Sequence, residues 1–301
     1  MANGILVDEA TYFNDSETYT GDSGSETNKW VIEDVYDLVQ GNSTGSSYSC
    51  FRLVSDIDFR DHETYKNGFS NNNLIMCADG IFDGNGHSIK NLVLNSCGNN
   101  TFSFKIIKNT DFINLVMINC QYACITVGVG GYMQNCNFGI YVSNCSYTPL
   151  WNRNIYDCCF NIKGTLTKGL ELDGNPVIRR THVNLDVTMN SAQVIGGSSS
   201  YTLENCYFTG KIKNKASIST VHGICLTKFA NSYIAVEYDG GSAYNGIKIQ
   251  GTGFMDTELW CKNGFAGLAN NPSSGYVTHI TTAQAQDAEY LNSIGFAVVP
   301  T

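Results

Sequence analysis

Two carboxylates and a histidine on alternating, strand-like segments are the side chains best spaced for catalysis. Aligning NLDV (184–187) with TLEN (202–205) places Asp186 beside Glu204, and His182 shares the outward side of its segment with Asp186. Such a group could supply the acid and the base or nucleophile of glycoside cleavage. Solvated side chains on alternating strands give the same pattern, and we favour that interpretation because no catalytic motif accompanies it.

Two further acidic pairs have the spacing of metal ligands on one strand face. They are Asp56 with Asp58, and Asp256 with Glu258. Residues i and i+2 of a strand project to the same side, as the oxygen ligands of a hard cation require. Acids beside turns also accept hydrogen bonds from turn amides. We expect neither a metal nor a cofactor, and GVGG (128–131) lacks the context of a dinucleotide-binding loop.

Aromatic residues make up 12% of the chain and have two possible roles. Exposed rings could stack on sugars, and Trp151 and Tyr244 are the candidates for glycan contact. Most other rings are expected to fill the core or to cover an interface between subunits. The rings assigned to the core are Phe102, Phe104, Phe138 and Phe160.

The composition limits which partners this chain can have. It has 301 residues, 43% of them hydrophobic, and a net charge of −9, so its surface repels phosphate backbones and nucleic-acid binding is not expected. No apolar stretch approaches the roughly 18 residues that predict a membrane span. Residues 1–13 contain no secretory signal, so we expect synthesis in a reducing cytoplasm.

The five copies of a six-residue pattern contain six of the 12 cysteines. It consists of an apolar residue, any residue, Asn or Asp, Cys, any residue and an aromatic residue. The copies are MINCQY (117–122), MQNCNF (133–138), VSNCSY (142–147), IYDCCF (155–160) and LENCYF (203–208). Their irregular spacing argues against a propeller with blades of fixed length and favours a parallel β-helix whose turns carry insertions.

The repeated residues are expected to form structural ladders. Side chains of successive coils stack at about 4.8 Å, where Cys is small enough to fit and Asn at a bend can bond its counterpart. Disulfides and metal binding are the alternatives, and we favour buried thiols because no CxxC pair is present. The predicted ladder comprises Cys120, Cys136, Cys145, Cys158, Cys206, Asn119, Asn135, Asn144 and Asn205.

Residues 30–94 contain three segments with recognisable roles. WVIEDVYDLVQG predicts a capping helix near 31–40, SCFRLVSDIDFRD predicts a strand, and GIFDGNGHSIKNLVL predicts a turn with Gly84 and Gly86 at positive φ. These segments resemble the entry coils of right-handed parallel β-helix proteins, which include pectate-lyase-like enzymes, bacterial surface adhesins and bacteriophage tail spikes and fibres. The resemblance covers about residues 30–265. It implies an all-β, single-stranded right-handed parallel β-helix with an N-terminal capping helix and a C-terminal cap.

The chain is expected to contain three segments. Residues 1–29 are acidic and rich in Ser, Thr and Gly, which predicts an extended arm or anchor. Residues 30–280 form the β-helix. Residues 281–301 form a short helix, Ala283 to Ser293, and a terminal strand; the helix followed by SIGF resembles the tails of phage-encoded structural proteins.

The resemblance and the missing catalytic motif favour a bacteriophage virion protein that is not an enzyme. We expect a fibre, spike or surface decoration subunit in the virion, which presents its β-helix for attachment or for contact with a host surface polysaccharide. By the same resemblance, it would be a homotrimer and would bind other virion proteins through the N-terminal arm. The alternatives are a polysaccharide depolymerase of the same fold, lyase or hydrolase, and a bacterial surface adhesin, since fold does not fix function.

Overall fold

Contacts divide the chain into two compact units. Unit 1 contains residues 1–141 and 152–154, and unit 2 contains residues 142–151 and 155–301. The residues described in the computed structural model are 30–40, 50–70, 74–98, 101–121, 124–146, 148–149, 154–168, 170–171, 177–190, 193–196, 202–215, 222–240, 247–256, 277–285 and 287–293. The predicted arm at 1–29 lies outside them, and the three-segment division stays a prediction.

Both units are built of parallel coils, which confirms the predicted all-β fold class. The chain forms a parallel β-solenoid of about six turns, and most of the described residues lie in strands and few in helices. Strands pair with strands of the next coil instead of with their neighbours in sequence, so that Val93 aligns with Val116 and Leu94 with Met117. The segments NLVLNSC (91–97) and NLVMINC (114–120) are similar in sequence because they lie in adjacent coils. The right-handed sense stays a prediction.

Unit 1 has coils with three sides. Its strands are β1 (Trp30–Ile32), β2 (Cys50–Leu53), β3 (Ile57–Asp58), β4 (Phe69–Ser70), β5 (Ile75–Asp83), β6 (Ser88–Lys90), β7 (Val93–Asn95), β8 (Phe102–Lys108), β9 (Asp111–Ile118) and β10 (Ile125–Gln134). β11 (Asn137–Cys145) and β12 (Asn154–Tyr156) contribute residues to both units. One side contains β2, β5, β8 and β10. β3 and β6 form a second side and β4 and β7 a third, and both sides continue along β9.

Unit 2 repeats this arrangement. Its strands are β13 (Cys159–Leu166), β14 (Leu170–Glu171), β15 (Val177–Arg179), β16 (His182–Met189), β17 (Gln193–Gly196), β18 (Thr202–Glu204), β19 (Tyr207–Asn214), β20 (His222–Gly240), β21 (Ile247–Asp256) and β22 (Val277–Ile280). β13, β16 and β19 form one side, β14 and β17 a second, and β15 and β18 a third. The long strand β20 pairs with all three sides in turn.

Bends between the sides are made by residues in the left-handed backbone conformation. Asparagine tolerates this conformation because its short side chain bonds the local backbone. The Asn or Asp of all five repeat copies has positive φ, which explains why the sequence pattern recurs. Described residues other than glycine with positive φ are Asn85, Asn91, Ser96, Asn109, Asn114, Asn119, Cys124, Asn135, Asn144, Asp157, Arg180 and Asn205.

Bend asparagines of adjacent coils hydrogen-bond to one another. In unit 1, Asn135 Nδ2 donates to Asn109 Oδ1 at 2.9 Å, and Asn109 Nδ2 donates to Asp83 Oδ1 at 3.1 Å. At a second bend, Asn114 Nδ2 donates to Asn91 Oδ1 at 3.3 Å. Asn135 and Asn114 are exposed, so the amides stack on the outer side of the bends while the thiols lie inside.

A cluster of phenylalanines fills the interior of unit 1. Phe82 and Phe102 have ring centroids 4.8 Å apart, and Phe112 and Phe138 stack at 4.6 Å. Phe102 also contacts Phe104 at 5.2 Å. All five rings are at most 1% exposed, so the described part of this interior excludes water. In unit 2, the fourth ring assigned to the core, Phe160, is also buried.

The N-terminal helix is shorter than the sequence predicts. Helix α1 spans Val35–Gln40, whereas Trp30–Ile32 is strand β1 and pairs with β2. The Asp34 side chain accepts the backbone N–H of Asp37 at 2.9 Å, which is the geometry of an N-cap. The predicted start of the helix near residue 31 was therefore wrong, because the cap stops the helix from extending further back.

Glycine has a different role in the FDGNGH turn from the one predicted. Positive φ is found at Asn85 and Gly86, and the prediction of positive φ for Gly84 was wrong. Gly84 is required for another reason: a β-carbon there would overlap the carbonyl oxygen of Asn109 in the next coil. As expected, the Asp83 carboxylate accepts the backbone N–H of Asn85 at 3.0 Å.

The C-terminal cap contains two short helices instead of the single helix predicted. They are α2 (Thr282–Ala285) and α3 (Ala288–Ser293). Thr281 Oγ1 accepts the N–H of Gln284 at 3.2 Å, and Gln284 Oε1 accepts the N–H of Thr281 at 2.9 Å. This reciprocal capping box fixes the start of α2 at Thr281. Asp287 then caps α3 by accepting backbone N–H groups of its first turn.

Candidate functional site

The outward side chains of β13, β16 and β19 form a continuous polar surface on unit 2, which we call the ladder face. Alternate residues of these strands are buried, and the register between strands arranges the others in four columns, the fourth of which contains Thr165, Thr188 and Lys213. The first three columns are Cys159, His182 and Tyr207; Asn161, Asn184 and Thr209, which we call the middle column; and Lys163, Asp186 and Lys211. Because neighbouring coils hold one another in register, these groups have fixed spacing.

The middle column is a continuous hydrogen-bond chain. Thr209 Oγ1 donates to Asn184 Oδ1 at 3.0 Å, and Asn184 Nδ2 donates to Asn161 Oδ1 at 3.2 Å. His182 Nε2 lies 2.9 Å from Thr209 Oγ1. An amide nitrogen has two N–H donors, and the bond to the next rung uses one of them. The column is thus both rigid and able to donate to a ligand.

Two contacts fix the ring of His182. It stacks on Tyr207 with centroids 5.1 Å apart and bonds the hydroxyl of Thr209. That hydroxyl gives its single proton to Asn184, so Nε2 of His182 must be the donor, which sets the neutral tautomer. Partial burial lowers the pKa of His182 below its ordinary value, so the ring is uncharged near pH 7.

Charges alternate along the third column. Lys163, Asp186 and Lys211 are exposed and follow one another in register, and Glu237 of β20 continues the series. Lys211 Nζ lies 3.0 Å from Glu237 Oε1, and this hydrogen bond raises the pKa of Lys211. The column carries no net charge, although the whole chain carries −9. Lys213 of the fourth column is likewise followed in register by Asp239 of β20, so the charges of the ladder face balance only when the acids of β20 are included.

The structure does not align the two carboxylates of the predicted catalytic group. Asp186 pairs with Lys211, whereas Glu204 lies on β18 and bonds Arg179 Nε at 2.7 Å. The alignment that placed Asp186 beside Glu204 was wrong. β16 and β18 lie on different sides of the coils, and β19 is the strand that pairs with β16 in the next coil. His182 shares the outward face with Asp186, as expected from alternation.

An acidic cleft of about 280 Å³ lies beside α1 in unit 1. It contains both acids of the DID segment. Asp56 accepts the backbone N–H of Ser88 at 3.0 Å and Lys90 Nζ at 2.6 Å, and Asp58 accepts Asn91 Nδ2 at 2.7 Å. These acids therefore bond the turn of the next coil, as the structural interpretation expects. The cleft is lined by Glu33, Asp34, Val35, Tyr36, Asp56, Ile57, Asp58, Asp61 and His62.

Asp56 is expected to make a small, pH-dependent contribution to stability. The hydrogen bond from the Lys90 side chain, with that from the Ser88 backbone, lowers the pKa of Asp56 to about 2. A carboxyl group whose pKa is lowered by folding stabilises the folded chain at pH values above its ordinary pKa of 3.8. This stabilisation is lost as the pH falls towards 2. We expect Asp56→Asn to cost less than about 1 kcal/mol at pH 7, because exposed ion pairs contribute little.

Urea unfolding of the wild type and of Asp56→Asn checks this prediction at neutral and at acid pH. The difference between their unfolding midpoints should be present at pH 7 and should vanish near pH 2. A difference of the same size at both pH values would show that the effect comes from packing and not from the carboxylate charge.

Several candidate groups remain outside the described residues or without a described side chain. Trp151, Tyr244 and Glu258 lie outside them, as do residues 294–301, and the side chain of Asp256 is not described. In the part of the chain that the structure describes, no three His, Cys, Asp or Glu side chains are close enough to hold a metal ion. Within that same part, no helix has the length and apolar character needed to cross a bilayer.

Sequence reasoning missed most of the ladder face. CFNIKGTL, HVNLDVTM and YFTGKIKN alternate in the same phase, and this common phase is the signal that would have aligned them. The sequence pattern places Tyr207 only in the repeat copy LENCYF (203–208), and no motif marks Thr209 or Asn161 as site residues. The alignment failed because the segments between these strands differ in length, so the coil spacing could not be inferred from one matching pair of short sequences.

The fold and this face define a parallel β-solenoid protein with a polar, hydrogen-bonded outer sheet. No known protein family and no curated protein matches the sequence. Among solved structures, a "putative immunoglobulin A1 protease" from Bacteroides ovatus is similar at 15% identity, with 78% of this chain and 77% of that chain covered and a TM-score of 0.46. A likeness of this degree carries no argument about activity or partners.

Proposed function

We propose that this chain is a structural subunit of a bacteriophage virion, a fibre, spike or surface decoration subunit, that contacts a host surface glycan through the ladder face. The observation that supports the glycan contact is the amide column of Asn161, Asn184 and Thr209 beside the stacked rings of His182 and Tyr207. The assignment to a virion rests on the sequence resemblance of the entry coils and of the C-terminal tail.

The chemistry of the face fits a neutral carbohydrate. A sugar ring presents hydroxyl groups at its edge and an apolar C–H surface on its face. Amides and hydroxyls that are already held in place hydrogen-bond to the sugar hydroxyl groups with little entropy loss. An aromatic ring such as Tyr207 packs against the C–H surface of the sugar. The charges of Lys163, Asp186, Lys211 and Glu237 balance, which suits an uncharged ligand.

The proposed assembly follows the same resemblance. The subunit would form a homotrimer and would attach to other virion proteins through residues 1–29. The function requires binding without cleavage, which is consistent with the tautomer of His182: its Nε2 proton is committed to Thr209. Mass spectrometry of purified particles, and of the cells that produce them, tests the location. Detection only on cells would point to an adhesin and would overturn the virion assignment.

Substitution of Tyr207 tests the glycan contact. We expect Tyr207→Ala to weaken binding to purified host surface polysaccharide by about three- to tenfold, because an aromatic contact contributes about 0.5–1.5 kcal/mol. Tyr141→Ala is the matched control, since Tyr141 is 53% exposed and belongs to unit 1. Equal binding of all three proteins would exclude the ladder face, and new reducing or unsaturated sugar ends would identify a depolymerase instead.

A further inference from the structure

Six of the described cysteines occupy one structural position, which we call the corner position: the buried residue directly after a left-handed bend residue. The preceding residue is Ser96 in one case and Asn or Asp in the others. All six are reduced thiols and at most 3% exposed. The corner thiols are those of Cys97, Cys120, Cys136, Cys145, Cys158 and Cys206.

Each corner thiol bonds the backbone at its own bend. Its sulfur lies near the carbonyl oxygen two residues earlier, at distances from 3.1 Å for Cys158 to 3.7 Å for Cys97. Some corner thiols also reach the adjacent coil: Cys206 lies 3.3 Å from the carbonyl oxygen of Ile178, and Cys97 lies 3.3 Å from that of Phe69. The thiol hydrogen therefore has backbone carbonyl oxygens within hydrogen-bond distance, and the bend points these oxygens into the interior.

Threonine occupies the same position in two other coils. Thr110 and Thr181 follow the left-handed residues Asn109 and Arg180 and are buried. Their hydroxyls donate to the carbonyl oxygens two residues earlier at 2.9 and 3.0 Å. Cys and Thr share a small volume and a single donor hydrogen on the γ atom. Cys or Thr thus fills eight of the described corner positions, and the other three contain Leu92, Leu115 and Ile125.

We infer that the corner thiols act as a redox gate on folding: the coils close only while these sulfurs are reduced and unmodified, and the closed coils then shield them from oxidants. An adduct on a corner sulfur removes the donor hydrogen and needs volume that the packed interior does not have. Burial also raises the pKa of Cys206 to about 12, so the reactive thiolate of this residue is scarce in the folded chain. This inference is independent of the proposed function.

Oxidised glutathione supplies a balanced reaction for testing the gate. In the unfolded chain, a cysteine thiolate attacks one sulfur of the reagent, and the S–S bond of the reagent breaks as a mixed disulfide forms. One glutathione leaves as a thiolate and takes up a proton. The protein sulfur is oxidised and the departing glutathione sulfur is reduced, and dithiothreitol reverses the reaction.

The first experiment compares the folded chain with the unfolded chain. The full chain is treated with oxidised glutathione at pH 8, either in buffer or in urea, and the urea sample is then diluted. We expect the chain treated in urea not to regain the β-strand circular dichroism signal until dithiothreitol is added. The chain treated in buffer should keep its six corner thiols unmodified by mass spectrometry. Refolding of the fully modified chain would overturn the inference.

Partial modification identifies which thiols matter. Chains that carry about one adduct each are allowed to refold, and the adducts of the refolded fraction are mapped by peptide mass spectrometry. Adducts on corner thiols should be depleted at least about tenfold in this fraction, whereas adducts on Cys159, which is half-buried on the ladder face, should be retained. Equal retention at corner thiols and at Cys159 would contradict the gate.

A variant with all six corner cysteines replaced by threonine is the matched control, because Thr110 and Thr181 already occupy this position. Cys50 and Cys124, the other buried cysteines among the described residues, are replaced by alanine in both chains, and the threonine variant should then refold in the presence of oxidised glutathione. If its refolding is blocked as strongly as that of the wild type, other cysteines cause the block and the inference is wrong. If the variant does not fold, the adduct map of the wild type alone decides the outcome.

Discussion

Gly210→Ala is expected to destabilise unit 2 by about 4 kcal/mol. Gly210 has φ +99, a conformation that L side chains rarely adopt, and a β-carbon there would overlap the carbonyl oxygen of Leu185 in the preceding coil. The strained backbone costs about 1–3 kcal/mol and the forced separation of two strands costs about as much again. A total near 4 kcal/mol is a large fraction of the stability of an ordinary domain.

Circular dichroism and urea unfolding of Gly210→Ala and Gly98→Ala provide the test. Gly98 is the matched control because its φ is not positive and no atom lies within 4 Å of the position of an added β-carbon. The control should unfold within about 0.5 kcal/mol of the wild type. If both variants unfold together with the wild type, adjacent coils do not approach as closely at Gly210 as the register between β16 and β19 requires.

The repeated bend residues explain how the fold could be predicted from the sequence. At eight of the described bends, a left-handed residue precedes a small buried donor, and this local requirement leaves the visible Asn–Cys pair in Asn135–Cys136 and in Asn205–Cys206. A local sequence requirement of this kind does not depend on the number of residues between one bend and the next, so it remains visible whatever the length of the insertions. The solenoid class was predicted correctly for this reason.

The ladder face could not be predicted with the same success, because it depends on long-range register. Whether Asp186 faces Glu204 or Lys211 is decided by the number of residues in the turns between strands, and short apolar–polar alternations align equally well at several offsets. The role of Gly84 was missed for a related reason. Its need for a small side chain comes from Asn109, a residue of another coil.

Phe102→Ala is expected to destabilise unit 1 by about 3–5 kcal/mol. Phe102 is fully buried, and its ring contacts those of Phe82, Phe104 and Phe112 at centroid distances of 4.8, 5.2 and 5.7 Å. Removing the ring forfeits its burial and leaves a cavity, since strands held on both sides by other coils cannot move inward to fill it. Edge-to-face contacts add to this loss.

Two further variants separate cavity formation from the loss of an aromatic ring. Phe102→Leu retains most of the volume and should cost about 1–1.5 kcal/mol, and Tyr141→Ala, on an exposed ring of the same unit, should cost less than about 0.5 kcal/mol. Urea unfolding of the three variants should give this order. A loss below about 1 kcal/mol for Phe102→Ala would show that the interior collapses into the space left by the ring. This outcome would contradict the expectation that strands paired on both sides hold the coils in place.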